Sequence, residues 1–163
     1  MMRAICGLHT QESGAVSFIK NGEETDPELL YIGHEPALKA DLTALENLKF
    51  YAALFGYRGE LISVLKELRL AEHQHKLVKH LSSGQKRRVA LARLKMSPAP
   101  VWILDEPLVA IDTDTIDWLI QTMEAHLNIG GSILITSHQE IPGNLKPSIV
   151  DLREQSEVIK HAD

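Results

Sequence analysis

Val101-Trp-Ile-Leu-Asp-Glu-Pro107 sets four consecutive apolar residues directly ahead of two acids. A short run without polar alternation marks a strand covered on both faces, as in the parallel sheet of an α/β protein. Ligands of such sheets sit beyond the carboxyl ends of the strands, so Asp105 and Glu106 stand just past the apolar interior. One carboxylate there can hold Mg²⁺, largely through water, while its neighbour orients or deprotonates a nucleophilic water. Phosphoryl transfer requires both, a neutralised charge and a positioned attacker. The plainer alternative is an Asp105 that caps a turn beside a solvent-facing Glu106.

The flanks fit an α/β alternation. Ser97-Pro-Ala-Pro100 ends a helix that starts near residue 84 and runs to about Met96. Downstream, Ile116, Leu119, Ile120, Met123 and Leu127 recur at helical spacing. Asn128-Ile-Gly-Gly131 then turns into Ser132-Ile-Leu-Ile-Thr136, a second buried strand. Upstream, residues 15–20 and 29–32 are predicted strands, separated by the turn formers Asn21-Gly22 and Asp26-Pro27. Thr43-Ala-Leu-Glu46 has the spacing of a capping box, with Leu45, Leu48, Ala52 and Phe55 behind it and Gly56 as a stop. A second helix carries Leu61, Val64, Leu65 and Leu68, and the helical block ends near Lys79. A last strand over Ile149–Leu152, paired with Glu157–Lys160, completes the prediction. The βαβ rhythm gives a mostly parallel sheet with an inserted helical block.

The 163 residues amount to one domain, 44% apolar and 24% charged. A net charge of −5 gives no reason to expect nucleic acid as partner. Lys86-Arg-Arg88 also lacks the aromatic neighbours that stack bases. The single cysteine, Cys6, excludes an internal disulfide. Apolar runs fall far short of the ~20 residues that span a bilayer, and Met1–Leu8 is too short an apolar stretch for a secretion signal.

Leu81-Ser-Ser-Gly-Gln85 is the second chemical feature. Ser82 and Ser83 can cap a helix, Gly84 permits close backbone approach, and a helix N-terminus of roughly +0.5 charge attracts phosphate. Plain N-capping is the alternative. Lys76, Lys79, Lys86, Arg87, Arg88, Arg93 and Lys95 occur with no acid between positions 76 and 95, a local positive field suited to a polyphosphate or simply a solvated face. Thr136-Ser-His138 puts an imidazole at the end of the other buried strand, where it can donate to a terminal phosphate. His73, His75 and His80 lack supporting ligands and are taken as a solvated helix end.

In order, Leu-Ser-Ser-Gly-Gln, a helix, Trp-Ile-Leu-Asp-Glu-Pro, Ile111-Asp112 and Thr-Ser-His resemble the signature motif, Walker B, D-loop and switch histidine of an ABC-type ATPase. The resemblance covers essentially the whole chain. Within that family, Tyr31-Ile-Gly-His-Glu-Pro-Ala-Leu-Lys-Ala-Asp-Leu-Thr-Ala-Leu-Glu-Asn-Leu48 and Lys86–Pro107 are most similar to the ATP-binding subunit of the cytochrome c maturation haem exporter. The resemblance implies a P-loop NTPase-like α/β fold, with residues 1–36 and 97–163 as core and 37–96 as helical subdomain and signature helix. It implies ATP and Mg²⁺ as cofactors, a head-to-tail second ATPase subunit, and integral membrane subunits at the cytoplasmic face of the bacterial inner membrane. By the same resemblance, Ser82, Ser83, Gly84 and Gln85 would contact a partner's nucleotide. Asp105 and Glu35 would serve Mg²⁺, Glu106 would activate water, His138 would sense the γ-phosphate, and Asp112 would bridge subunits. An ABC ATPase for another substrate and a non-catalytic partner are the other readings.

Two departures accompany the resemblance. Glu35 stands where the family usually has glutamine; at roughly 4 Å from a phosphate its repulsion is of order 4 kcal/mol at an effective dielectric of about 20. A phosphate loop needs Gly-x-x-x-x-Gly-Lys-Ser/Thr, and none of the 10 glycines is followed by lysine. Met2–Leu8 and Ser13-Gly-Ala-Val16 resemble the helix and strand after that loop. The expectation is therefore an N-terminally truncated domain that starts just downstream of it.

Overall fold

The computed structural model describes residues 2–8, 15–143 and 145–150. A short helix α1 (Met2–Ile5) precedes a hairpin of β1 (Phe18–Lys20) and β2 (Glu23–Thr25). β3 (Leu29–Ile32) is followed by the helices α2 (Ala44–Phe55), α3 (Leu61–Glu67), α4 (Ser83–Leu91) and α5 (Arg93–Met96). The chain then alternates through β4 (Val101–Asp105), α6 (Thr113–Asn128) and β5 (Ser132–Thr136). β3, β4 and β5 form a parallel sheet with β4 in the middle. All three strands therefore end at one edge, with Asp105 opposite Thr136.

The central strand is apolar because it is enclosed: Trp102, Ile103 and Leu104 are all buried. One apolar cluster packs the sheet against α6 through Leu30, Ile32, Trp102, Leu104, Leu119 and Met123. A second joins α2, α3 and α4 through Leu48, Val64, Leu65, Leu68 and Val89. Each such side chain contributes about 1.5–3 kcal/mol by leaving water. Phe55 and Trp118 pack against both clusters. The capping box at the head of α2 is complete in both directions, and Gly56 closes the helix with a left-handed φ of 67°.

Four boundaries differ from expectation. The strand predicted over 15–20 shortens to Phe18–Lys20, and Asn21-Gly22 turns it into β2 rather than toward β3. β2 has no exposure pattern, since Glu23, Glu24 and Thr25 all face solvent. The helix predicted to Met96 is interrupted at Ala92. Ile149 and Val150 are exposed and not in a strand, while the rest of the predicted terminal pairing lies outside the described residues, as do Ser13 and Gly14.

Candidate functional site

β4 delivers Asp105 to the sheet edge, where its two neighbours hold it. The Thr136 hydroxyl donates to Asp105 Oδ1 at 2.7 Å, and the Tyr31 hydroxyl to Oδ2 at 3.4 Å. Burial, reinforced by the Asp105 charge and this hydrogen bond, pushes the Tyr31 phenol up, so it remains a donor. Glu106 follows with a φ of 50°. A left-handed non-glycine residue costs of order 1–3 kcal/mol and persists only where surroundings over-determine it. Here they do. The Glu106 N–H donates to the Thr136 carbonyl at 3.1 Å and to its hydroxyl at 3.2 Å. Its carbonyl accepts from Arg87 Nη2 at 2.8 Å.

The Glu106 carboxylate is mostly enclosed and meets His138. The His138 backbone N–H donates to Oε2 at 3.3 Å, and Nε2 lies 3.4 Å from Oε1. The imidazole is otherwise open, its side chain 95% exposed. Asp105, Glu106 and His138 thus converge at one edge, although 32 residues separate Glu106 from His138.

The serine-glycine turn opens α4. Ser82 is the N-cap: its hydroxyl accepts from the Gln85 N–H at 3.2 Å, and Gln85 Oε1 accepts from the Ser82 N–H at 3.0 Å. Ser83 is the first helical residue, so of the two serines only Ser82 caps. First-turn amides have no intrahelical acceptor, and those of Ser83 and Gly84 suit an anion. Gly84 is small for a second reason: a Cβ there would lie 2.8 Å from the Ala110 carbonyl. Asp112 caps α6, accepting from the Thr115 N–H at 3.0 Å and hydroxyl at 2.5 Å. Those bonds, with Arg88 and Arg69 nearby, hold its carboxyl below the ordinary range.

The positive field read along residues 76–95 is largely spent inside the protein. Arg87 is buried and donates to the carbonyls of Gly33 (2.6 Å), Asp105 (2.9 Å) and Glu106 (2.8 Å). Arg93 is buried as well, donating to Ala90 and Pro36 carbonyls and lying over the Tyr51 ring. Burial presses both guanidinium pKa values down. Lys79 pairs with Asp41 and Lys95 with Glu67, while Arg88 donates to the Leu68 carbonyl. Both arginines leave the positive field expected of them, and Arg87 is the one that reaches the acids. Its spacing from Ala90, Leu91 and Leu94 puts it on the buried stripe of the helix, and that was the available signal.

Asp105 and Glu35 offer hard oxygen donors, the chemistry Mg²⁺ accepts; Glu35 is exposed in the turn after β3. Among the described residues no group of three or more His, Cys, Asp or Glu is gathered to hold a metal ion. Mg²⁺ would therefore complete its shell with water and phosphate oxygens, as it commonly does.

The family model described as ABC transporter matches residues 1–109. The cytochrome c biogenesis ATP-binding export protein CcmA of Albidiferax ferrireducens is 40% identical over 164 residues, covering 94% of this chain and 77% of that protein. The protein of the same name from Histophilus somni is 41% identical over 152 residues, covering 88% and 70%. Among solved structures, an ATP-binding subunit of an ABC transporter superposes with a TM-score of 0.69 at 28% identity, over 84% of this chain and 62% of that one. A dimeric ATP-binding cassette in a post-hydrolysis state with ADP and Pi gives 0.58 at 26% identity, over 69% and 53%. With its acids, histidine and serine-glycine turn arranged as described, the chain belongs to the ABC transporter family, among the cytochrome c biogenesis ATP-binding export proteins.

Proposed function

We propose that this chain is the ATP-hydrolysing subunit of an exporter that delivers haem for cytochrome c maturation. It works head to tail with a second ATPase subunit, on membrane-spanning partners at the cytoplasmic face of the bacterial inner membrane. No helix among the described residues is long and apolar enough to cross a membrane. The observation that carries the reading is the Glu106–His138 pair beside Asp105 at the end of a parallel sheet.

In this reading Glu106 accepts a proton from the attacking water, which its pinned backbone aims past the sheet edge. The open His138 ring donates toward the terminal phosphate, while the acid beneath it limits its swing. Asp105, oriented by Thr136 and Tyr31, and Glu35 are the residues that would hold the metal, and Mg²⁺ when bound would supply charge neutralisation. The α4 turn of Ser82, Ser83, Gly84 and Gln85 presents its amides to the nucleotide of the neighbouring subunit, and Asp112 lies at the contact between the two.

The test is Glu106→Gln in the assembled ATPase pair. Removing a general base should lower kcat by about 100- to 10,000-fold with little change in nucleotide affinity. A second reading rests on the complete Ser82–Gln85 cap at the head of α4: a partner that lends Leu81–Gln85 to an intact ATPase. Hydrolysis that survives Glu106→Gln undiminished would replace the first reading with the second.

A further inference from the structure

We infer that Arg87 is a positioning residue that welds the serine-glycine turn of α4 to the hydrolytic acid of the same chain, so that a displacement of the turn moves Glu106. The inference rests on the roles proposed for Leu81–Gln85 and Glu106. Its physical content is a set of contacts. Arg87 sits two residues beyond Gln85 on α4, and its guanidinium joins the backbone after β3, at Gly33, to the backbone at Asp105 and Glu106. One helix thereby grips the ends of two strands.

A close approach and an ion pair bring the same helix against the same loop. Gly84 lies so close to the Ala110 carbonyl that even a methyl group would not fit. Arg88 Nη1 reaches Asp112 Oδ2 at 3.8 Å. Positions 105 and 106 are thus bonded to α4 and 112 is paired with it, while 110 lies close against its first turn. Glu106 and Ala110 both have left-handed backbones, with φ of 50° and 62°. A loop held in such a conformation relaxes when its restraints go, so its geometry reports on the helix that restrains it.

A lysine at 87 keeps the charge but is a single point donor without the planar fork, and cannot span three carbonyls. Hydrogen exchange of the isolated chain tests the weld without nucleotide. In Arg87→Lys and Arg87→Gln, exchange at the Glu106 amide should rise about tenfold or more, while Leu48 and Leu65 in the α2–α3 cluster stay unchanged. Gln85→Ala should raise Glu106 exchange in the native background and add nothing in Arg87→Lys, as coupled sites do in a double-mutant cycle. In the assembled pair, Arg87→Lys should lower kcat by about 10- to 100-fold with KM for ATP unchanged, the cost of a misaimed base. Unaltered Glu106 exchange in folded Arg87→Lys would overturn the inference, as would a rise shared equally by Leu48 and Leu65. Local exchange effects together with undiminished hydrolysis in Glu106→Gln would leave the weld standing and remove the hydrolytic reading instead.

Discussion

Trp102 and His126 stack with ring centroids 3.7 Å apart and planes 10° from parallel. Burial holds the His126 imidazole below its ordinary value of 6.5, against the opposing pull of the Pro100 and Ser132 carbonyls. A histidine depressed in the folded state takes up a proton more readily when unfolded. Its contribution to stability is therefore complete above pH 6.5 and is lost as pH falls from there toward the folded value. Urea midpoints measured from pH 7.5 to 5 should fall more steeply for the native chain than for His126→Gln; parallel slopes would contradict this. The position of Asp105 and Glu106 at the sheet edge was legible, because acids directly after an uninterrupted apolar run mark where a buried strand ends. Arg87 and Tyr31 were not, since their partners are a backbone carbonyl 54 residues away and a carboxylate 74 residues away.

At the scale of elements, α4 is held by what it lacks as much as by what it carries. Gly84→Ala would drive a methyl group against the Ala110 carbonyl, and such overpacking costs about 1–3 kcal/mol. Chemical denaturation should show that loss, and Ala110 and Asp112 resonances should shift while those of the β1–β2 hairpin do not. Helix α2 was readable from Thr43 to Gly56 because its caps and its apolar stripe agree. Strands β4 and β5 were readable as uninterrupted apolar runs. Strand β2 was not: Glu23, Glu24 and Thr25 are all exposed and leave no alternation to detect. The break at Ala92 was equally silent, for alanine favours helix and its φ of −53° and ψ of −24° stay in the right-handed helical region.

The whole molecule shows what local pattern omits. Three strands could be predicted, but their order, with β4 between β3 and β5, depends on pairings across 72 and 31 residues that no window of sequence contains. The convergence of Asp105 and His138 follows from that order alone. The two apolar clusters raise a separate question, whether the helical layers and the sheet can come apart on heating. Trp118 argues that they cannot. It packs against both clusters, and its indole N–H donates to Glu67 of α3 at 2.9 Å while its own helix covers the sheet. Phe55 makes the same bridge from α2. A calorimeter should accordingly register one melting peak, with van't Hoff and calorimetric enthalpies in agreement. Two resolved peaks would mean that these aromatic rivets give way before either layer melts.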